Sequence, residues 1–189
     1  LVTRPIATDP EQIRSYMGRI ESGGVARGDA VTVLPSGHRT SVRAIMTLGG
    51  ELPSAYAPQC VTLLLADEID ISRGDMIVAA QQAPRADKSI TAHLCWMDNE
   101  PLALSRRYLV KHTTRTVKAM FTEVTHRIDV ASLGQLPADG TLRMNDIGSV
   151  NIKLQQPLVF DSYRDNRATG CFIVIDETTN HTVAAGMIQ

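Results

Sequence analysis

A chain of 189 residues with 43% hydrophobic and 21% charged residues can bury a core, and no part of it has the composition of a disordered tail. A formal net charge of -1 withholds the basic footprint of a dedicated nucleic-acid binder, so no nucleic-acid partner is expected. No apolar run approaches the ~18 residues of a membrane span, and the opening Leu1-Val2-Thr3-Arg4-Pro5 has no signal-peptide core, which predicts a cytoplasmic protein without a membrane partner.

Along the chain, short apolar runs recur between Gly, Pro, Asn or Asp, and none sustains a 3.6-residue period, so the expected class is all-β. The first residue is not Met and the stretch through Asp9-Pro10 reads as a linker, which predicts a piece of a longer protein. Tyr16 to Ile20 is the first strand candidate, and Ser22-Gly23-Gly24 reads as a hairpin turn. Ala30 to Leu34 leads into Pro35-Ser36-Gly37-His38, Thr40 to Leu48 ends at a second Gly49-Gly50 hairpin, and Cys60 to Leu65 and Met76 to Ala80 complete a small barrel. The polar, Pro-bearing segment Gln81 to Lys88 marks a boundary, giving a first barrel over residues 1–84 and a second over 85–189.

The second half restarts with Ile90 to Met97 and continues through Tyr108 to Val110, Val117 to Val124 and the alternating run Val150 to Leu154. Cys171 to Ile175 and Thr182 to Ile188 read as a hairpin across Asp176-Glu177-Thr178-Thr179-Asn180. Between them and Leu154, the loop Asp161 to Gly170 has the turn chemistry of an ordered surface feature. Gly170 is suited there to positive φ, and Tyr163 between Arg164 and Arg167 is suited to anchoring an interface.

Few residues suggest chemistry. No G-x-x-x-x-G-K-[ST] occurs, and the glycine pairs precede no helix signal, so no nucleotide site is expected within the chain. His38, His93, His112, His126 and His181 are scattered without the i, i+4 spacing of metal ligands, so no metal site is expected either. Cys60, Cys95 and Cys171 lie in apolar surroundings and are expected as buried reduced thiols. His93 shares a strand face with Cys95, the geometry of a nucleophile and its base, but no companion motif accompanies it and no catalytic residue is assigned. Arg106, Arg107, Lys111, Arg115 and Lys118 form a basic stretch, read either as a solvated hairpin guarding an exposed strand or as a contact surface for an acidic partner. Arg106, Arg107, Lys111, Arg115, Tyr163 and Arg167 are the candidate interface residues.

Gly18-Arg19-Ile20-Glu21-Ser22-Gly23-Gly24-Val25-Ala26-Arg27-Gly28-Asp29 resembles the second-domain signature of translation-factor GTPases, and Ile71-Ser72-Arg73-Gly74-Asp75 is similar to the turn before the last strand of that barrel. Val33-Leu34-Pro35-Ser36-Gly37, Asp67 to Asp75, Asn145-Asp146-Ile147-Gly148 and Asp161 to Gly170 resemble, within that superfamily, the large GTPase-type subunit of bacterial sulfate adenylyltransferase. Thr182 to Met187 is similar to that family's V-G-A-G ending, with Ala184 in place of the first Gly, so a Cβ is tolerated there.

The resemblance implies two elongation-factor-like barrels that follow a GTPase domain. That domain would hold GTP and Mg²⁺, and a separate smaller subunit would carry out adenylyl transfer from ATP to sulfate. Some members carry a C-terminal adenylylsulfate kinase, of which nothing is present here. The partners implied are the GTPase domain of the same parent chain and the smaller subunit. Two other readings remain at this point: a translation-factor-like barrel pair binding tRNA, against which near-neutral charge and few aromatics argue, and a stand-alone enzyme using Cys95, which a thiol reagent would reveal.

Overall fold

The computed structural model describes residues 2–3, 14–81 and 84–189. Gln82 and Ala83, within the expected boundary, and residues 4–13, within the expected leading segment, lie outside the described residues. The described regular structure is entirely strand, and the chain divides into two compact units, Leu1–Pro84 and Arg85–Gln189.

The first unit contains β1 (Val2–Thr3), β2 (Ser15–Arg19), β3 (Gly24–Ala26), β4 (Ala30–Leu34), β5 (His38–Thr47), β6 (Gly50–Leu52), β7 (Ser54–Tyr56), β8 (Cys60–Leu65) and β9 (Met76–Ala79). Its main ladder runs β1-β2-β8-β5-β4-β9, with β6 on β5 and a separate β3–β7 pair. The Gly49-Gly50 hairpin forms between β5 and β6. The expected Gly23-Gly24 hairpin does not: β2 pairs with β1 and β8 while β3 pairs with β7, because Gly23 at φ +66 turns the chain away from the main ladder. The core gathers Val31, Val33, Val42, Ile45 and Leu65 around Tyr16. The buried Tyr16 hydroxyl donates to the Ile69 carbonyl (2.6 Å) and accepts from the Ile69 N–H (3.1 Å), so its one polar atom is satisfied.

The second unit contains β10 (Arg85–Trp96), β11 (Tyr108–His112), β12 (Arg115–Ile128), β13 (Gln135–Pro137), β14 (Ile147–Phe160), β15 (Cys171–Asp176) and β16 (Thr182–Ile188). The order β11-β15-β16-β10-β14-β12 closes through a β11–β12 pairing, with β13 added on β12. Closure by hydrogen bonds is thus complete in the second barrel, whereas among the described residues the first ladder ends at β1 and β9. Residues Arg85 to Lys88, read from sequence as part of a connecting segment, instead begin β10, and Arg85 to Asp87 pair with β14. Their polarity reflects exposure rather than an absence of strand, and a register shift between Asp87 and Ser89 marks a bulge there.

The second core is organised by aromatic rings. Trp96 meets Tyr108 edge-on at 5.9 Å between centroids, and Tyr108 meets Phe121 at 5.3 Å. Ala184 is fully buried, so the Cβ at that glycine-like position packs inward.

One turn device recurs in both units. In Ala26 to Asp29, Ser72 to Asp75 and Arg143 to Asp146, the aspartate carboxylate accepts the N–H three residues back, at 2.8, 2.9 and 2.8 Å. The residue before each aspartate, Gly28, Gly74 or Asn145, has positive φ. Glycine takes that conformation freely and asparagine tolerates it, so these turns are written directly in the sequence.

Candidate functional site

The outer wall of the second barrel carries the feature most suited to recognition. β11 alternates, with Tyr108, Val110 and His112 buried and Lys111 exposed. Register then places Lys111 opposite Ile173 on β15, Ile173 opposite Ala185 on β16, and Ala185 opposite Cys95 on β10. The next outward row is Cys171, Met187 and His93. Tyr163 and Arg167, from the loop after β14, stand over these rows and form an open groove of about 810 Å³ whose lining also includes Thr113, Ala168 and Phe172.

The loop from Asp161 to Gly170 is held by its own polar groups. Asp161 Oδ2 accepts from the Thr169 hydroxyl (2.5 Å) and the Asn166 amide (3.4 Å), and the Ser162 hydroxyl donates to Asp165 (2.8 Å). The Tyr163 N–H donates to the Ile188 carbonyl and the Ile188 N–H donates to the Gly170 carbonyl, both at 2.8 Å, which ties the loop to the end of β16. Gly170 does not serve through positive φ as expected. It serves through close approach: a Cβ there would lie 2.3 Å from Tyr163 Cα and 2.4 Å from Tyr163 N.

Beneath the loop, His112 is 1% exposed and its Nε2–H donates to the Thr169 carbonyl at 2.7 Å. Burial lowers its pKa, and the bond to Thr169 and the nearby Asp161 oppose that only in part. His93 is shifted the same way, first by burial and then by His126. With both folded pKa values below the unfolded value, the unfolded chain binds more protons, so stability is full above about pH 6.5 and falls as pH drops below it. Urea unfolding followed by Trp96 fluorescence should therefore show the second barrel weakening between pH 7.5 and 5.5, at no more than ~1.4 kcal/mol per pH unit per histidine. His112→Gln, which keeps a donor toward Thr169, should flatten that slope and leave the part due to His93. An unchanged slope would remove His112 from the account.

The groove brings together Lys111, Tyr163 and Arg167 from the candidate interface residues and leaves the others elsewhere. Arg106 pairs with the buried Asp176 at 2.8 Å and with Glu100 at 3.1 Å. Burial alone would raise the Asp176 pKa, but the N–H groups of Thr179 and Thr178 and the Arg106 guanidinium hold it below the usual carboxylate value. Arg115 donates to Gln156 Oε1 (3.3 Å), Lys118 pairs with Glu177, and Arg107 is exposed outside the groove. The basic stretch therefore does not guard an exposed strand, because β11 has a partner on each side and acidic residues from β15 and its turn meet the hairpin.

All three cysteines, expected as buried thiols, correct the sequence reading. Cys60 and Cys171 are exposed and Cys95 is half-buried. Cys60 and Cys171 each open a strand whose burial alternates outward-inward from its first residue, and an unbroken apolar run conceals that phase. The amide nearest the His93 ring belongs to Gln189, 3.1 Å from Nε2, and no hydrogen bond joins His93 to Cys95. Among the described residues no cluster of three or more His, Cys, Asp or Glu could hold a metal ion. Among the described residues the glycine turns open onto strands rather than helices. No helix of the described residues is long and apolar enough to cross a membrane.

Ile173, Ala185 and Met187 complete the groove but were not legible as site residues. Their only signal is outward phase, which needs the β15–β16 register.

Comparison with known proteins gives consistent results. Residues 89–189 match the family model described as GTP-eEF1A C-terminal domain-like. The chain is 45% identical over its whole length to the bifunctional enzyme CysN/CysC of Rhodopirellula baltica, spanning 28% of that protein. It is 46% identical over 93% of its length to sulfate adenylyltransferase subunit 1 of Alteromonas mediterranea, spanning 37% of it. The crystal structure of sup35 complexed with GDP superposes with a TM-score of 0.84 over 98% of this chain and 46% of that one, at 19% identity, which shows a shared fold.

Proposed function

Since the chain belongs to the GTP-eEF1A C-terminal domain-like family, we propose that it is the non-catalytic barrel region of the GTPase-type large subunit of a sulfate adenylyltransferase. The parent enzyme would form adenylyl sulfate and pyrophosphate from ATP and sulfate, coupled to GTP hydrolysis. GTP and Mg²⁺ would be held by the GTPase domain of the same parent chain, the smaller subunit would carry adenylyl transfer, and the protein would work in the cytoplasm. The barrels, with their boundary at residues 84 and 85, would position the GTPase domain and contact the smaller subunit, contributing no catalytic residue.

The observation that carries this reading is identity of 45% over the whole chain and 46% over 93% of it to proteins named for this activity. The tRNA-binding reading has only the likeness to sup35, which at 19% identity concerns the fold alone.

A domain exchange tests it. In the full-length large subunit, residues 1–189 of this sequence are replaced by the sup35 barrels, which share the fold but not the surface. GTP binding should persist, while GTP-stimulated pyrophosphate release from ATP and sulfate should fall at least about tenfold in the presence of the smaller subunit. Full activity in the exchanged enzyme would refute a specific role for these barrels.

A further inference from the structure

We infer that the groove on the second barrel receives an acidic segment bearing an apolar side chain, supplied by the smaller subunit, an inference that rests on the subunit pairing proposed above. The floor is aliphatic or sulfur-bearing: Ile173, Ala185, Cys171 and Met187, the last 41% exposed. That floor offers no donors, and of the two rings lining the groove Tyr163 is half-buried and Phe172 is buried, so no open stacking platform for bases is present and RNA is poorly matched. An apolar floor framed by polar groups is instead the anatomy of a protein contact.

The rim sets the charge of the occupant. Lys111 and Arg167 both line the groove and no carboxylate does. Asp176 and Glu177 are taken up in ion pairs with Arg106 and Lys118, Asp161 and Asp165 accept hydrogen bonds within their own loop, and no carboxylate among the described residues forms an ion pair with Lys111 or Arg167. A carboxylate of an occupant can therefore supply the complementary charge. β15 and β16 each have a strand on both sides, so no backbone edge is free at this wall and the segment is held by side chains rather than by strand addition. A short run with carboxylates spaced to reach Lys111 and Arg167, and an apolar side chain between them over Ile173 and Met187, satisfies both requirements.

Native cysteines provide the readout. Cys171 lies in the groove, and Cys60, also exposed, lies in the other unit as a reference. The full-length large subunit is treated with N-ethylmaleimide alone, with the smaller subunit, and with tRNA, and modification is quantified by mass spectrometry. Cys171 should react in the large subunit alone and slow at least about tenfold in the complex, while Cys60 changes little and tRNA has no effect. The double substitution Lys111→Glu, Arg167→Glu should weaken assembly at least about tenfold and abolish the protection, while Lys111→Arg, Arg167→Lys retains both.

Protection of Cys171 in the large subunit alone would assign the groove to the GTPase domain in cis and overturn the inference. Protection by tRNA would overturn it in favour of nucleic acid. A complex that forms normally with Cys171 still reactive would overturn the groove assignment and leave the subunit pairing intact. Failure of the two full-length subunits to associate would overturn the pairing and the inference together.

Discussion

Trp96→Ala is expected to destabilise the second barrel by about 3–5 kcal/mol, the usual cost of removing a buried large aromatic ring. Trp96 is 1% exposed, its Nε1–H donates to the Glu100 carbonyl at 2.7 Å, and its ring abuts Tyr108, which in turn abuts Phe121. The substitution therefore leaves a cavity, removes the hydrogen bond to Glu100, and takes the first ring out of a series of three in edge-to-face contact. For a domain of this size each kcal/mol moves Tm by roughly 4–8 °C, so the second barrel should melt more than about 10 °C lower. Trp96 is the single tryptophan of the chain, so the variant is followed by calorimetry rather than fluorescence. The first unit has its own core around Tyr16 and should melt unchanged. A drop of under about 1 kcal/mol would mean that the site collapses around the missing ring, and would count against the edge-to-face ring series as the organising contact.

Trp96 also illustrates what the sequence revealed. It lies in a run, Ile90 to Met97, whose apolar residues were enough to place a strand, although its buried face of Ile90, Ala92, Leu94 and Trp96 was not read, since Cys95 on the other face was expected to be buried. Ala30–Leu34, Cys60–Leu65 and Cys171–Asp176 are likewise legible as apolar runs bounded by turn residues, but not their buried faces: Thr32 is buried and Cys60 and Cys171 are exposed. Three-residue strands carry no such run. β3 and β7 pair across a long sequence interval, and β13 is exposed at all three of its residues, so nothing local distinguishes them from loop. Arg85 to Lys88 failed for the opposite reason, since a polar, exposed strand end looks like a connection.

The groove was half legible. Lys111, Tyr163 and Arg167 announce themselves by type and by their neighbours in the chain. Their convergence depends on Lys111 standing opposite Ile173, and register between distant strands is a tertiary fact that side-chain type does not encode. Arg106 shows the converse. It belongs to the same basic run, yet Asp176 draws it into a structural ion pair.

Gly170→Ala is the second large effect expected, and it ties the fold to the groove. A Cβ at residue 170 would lie 2.3 Å from Tyr163 Cα, 2.4 Å from Tyr163 N and 2.7 Å from the Asn166 carbonyl oxygen. All three are backbone atoms, so no rotamer change relieves the contact and the loop must move as a unit. The hydrogen bonds from Tyr163 N to Ile188 O and from Ile188 N to Gly170 O hold that loop against the end of β16, and displacement lengthens both. The cost should reach or exceed the top of the ~1–3 kcal/mol range for overpacking.

Gly140→Ala separates this clash from ordinary glycine strain, because Gly140 has φ +82 with nothing within 4 Å of its added Cβ. That variant should lose only the ~1–2 kcal/mol of a left-handed non-glycine residue. The two also differ in function: moving the Asp161 to Gly170 loop carries Tyr163 and Arg167 off the groove. Gly170→Ala, assayed below its own melting transition, should therefore bind the smaller subunit more weakly, while Gly140→Ala binds as the parent does. Equal stability losses in the two variants would show that the loop yields easily, and the rigid placement of Tyr163 over the groove would then have to be abandoned.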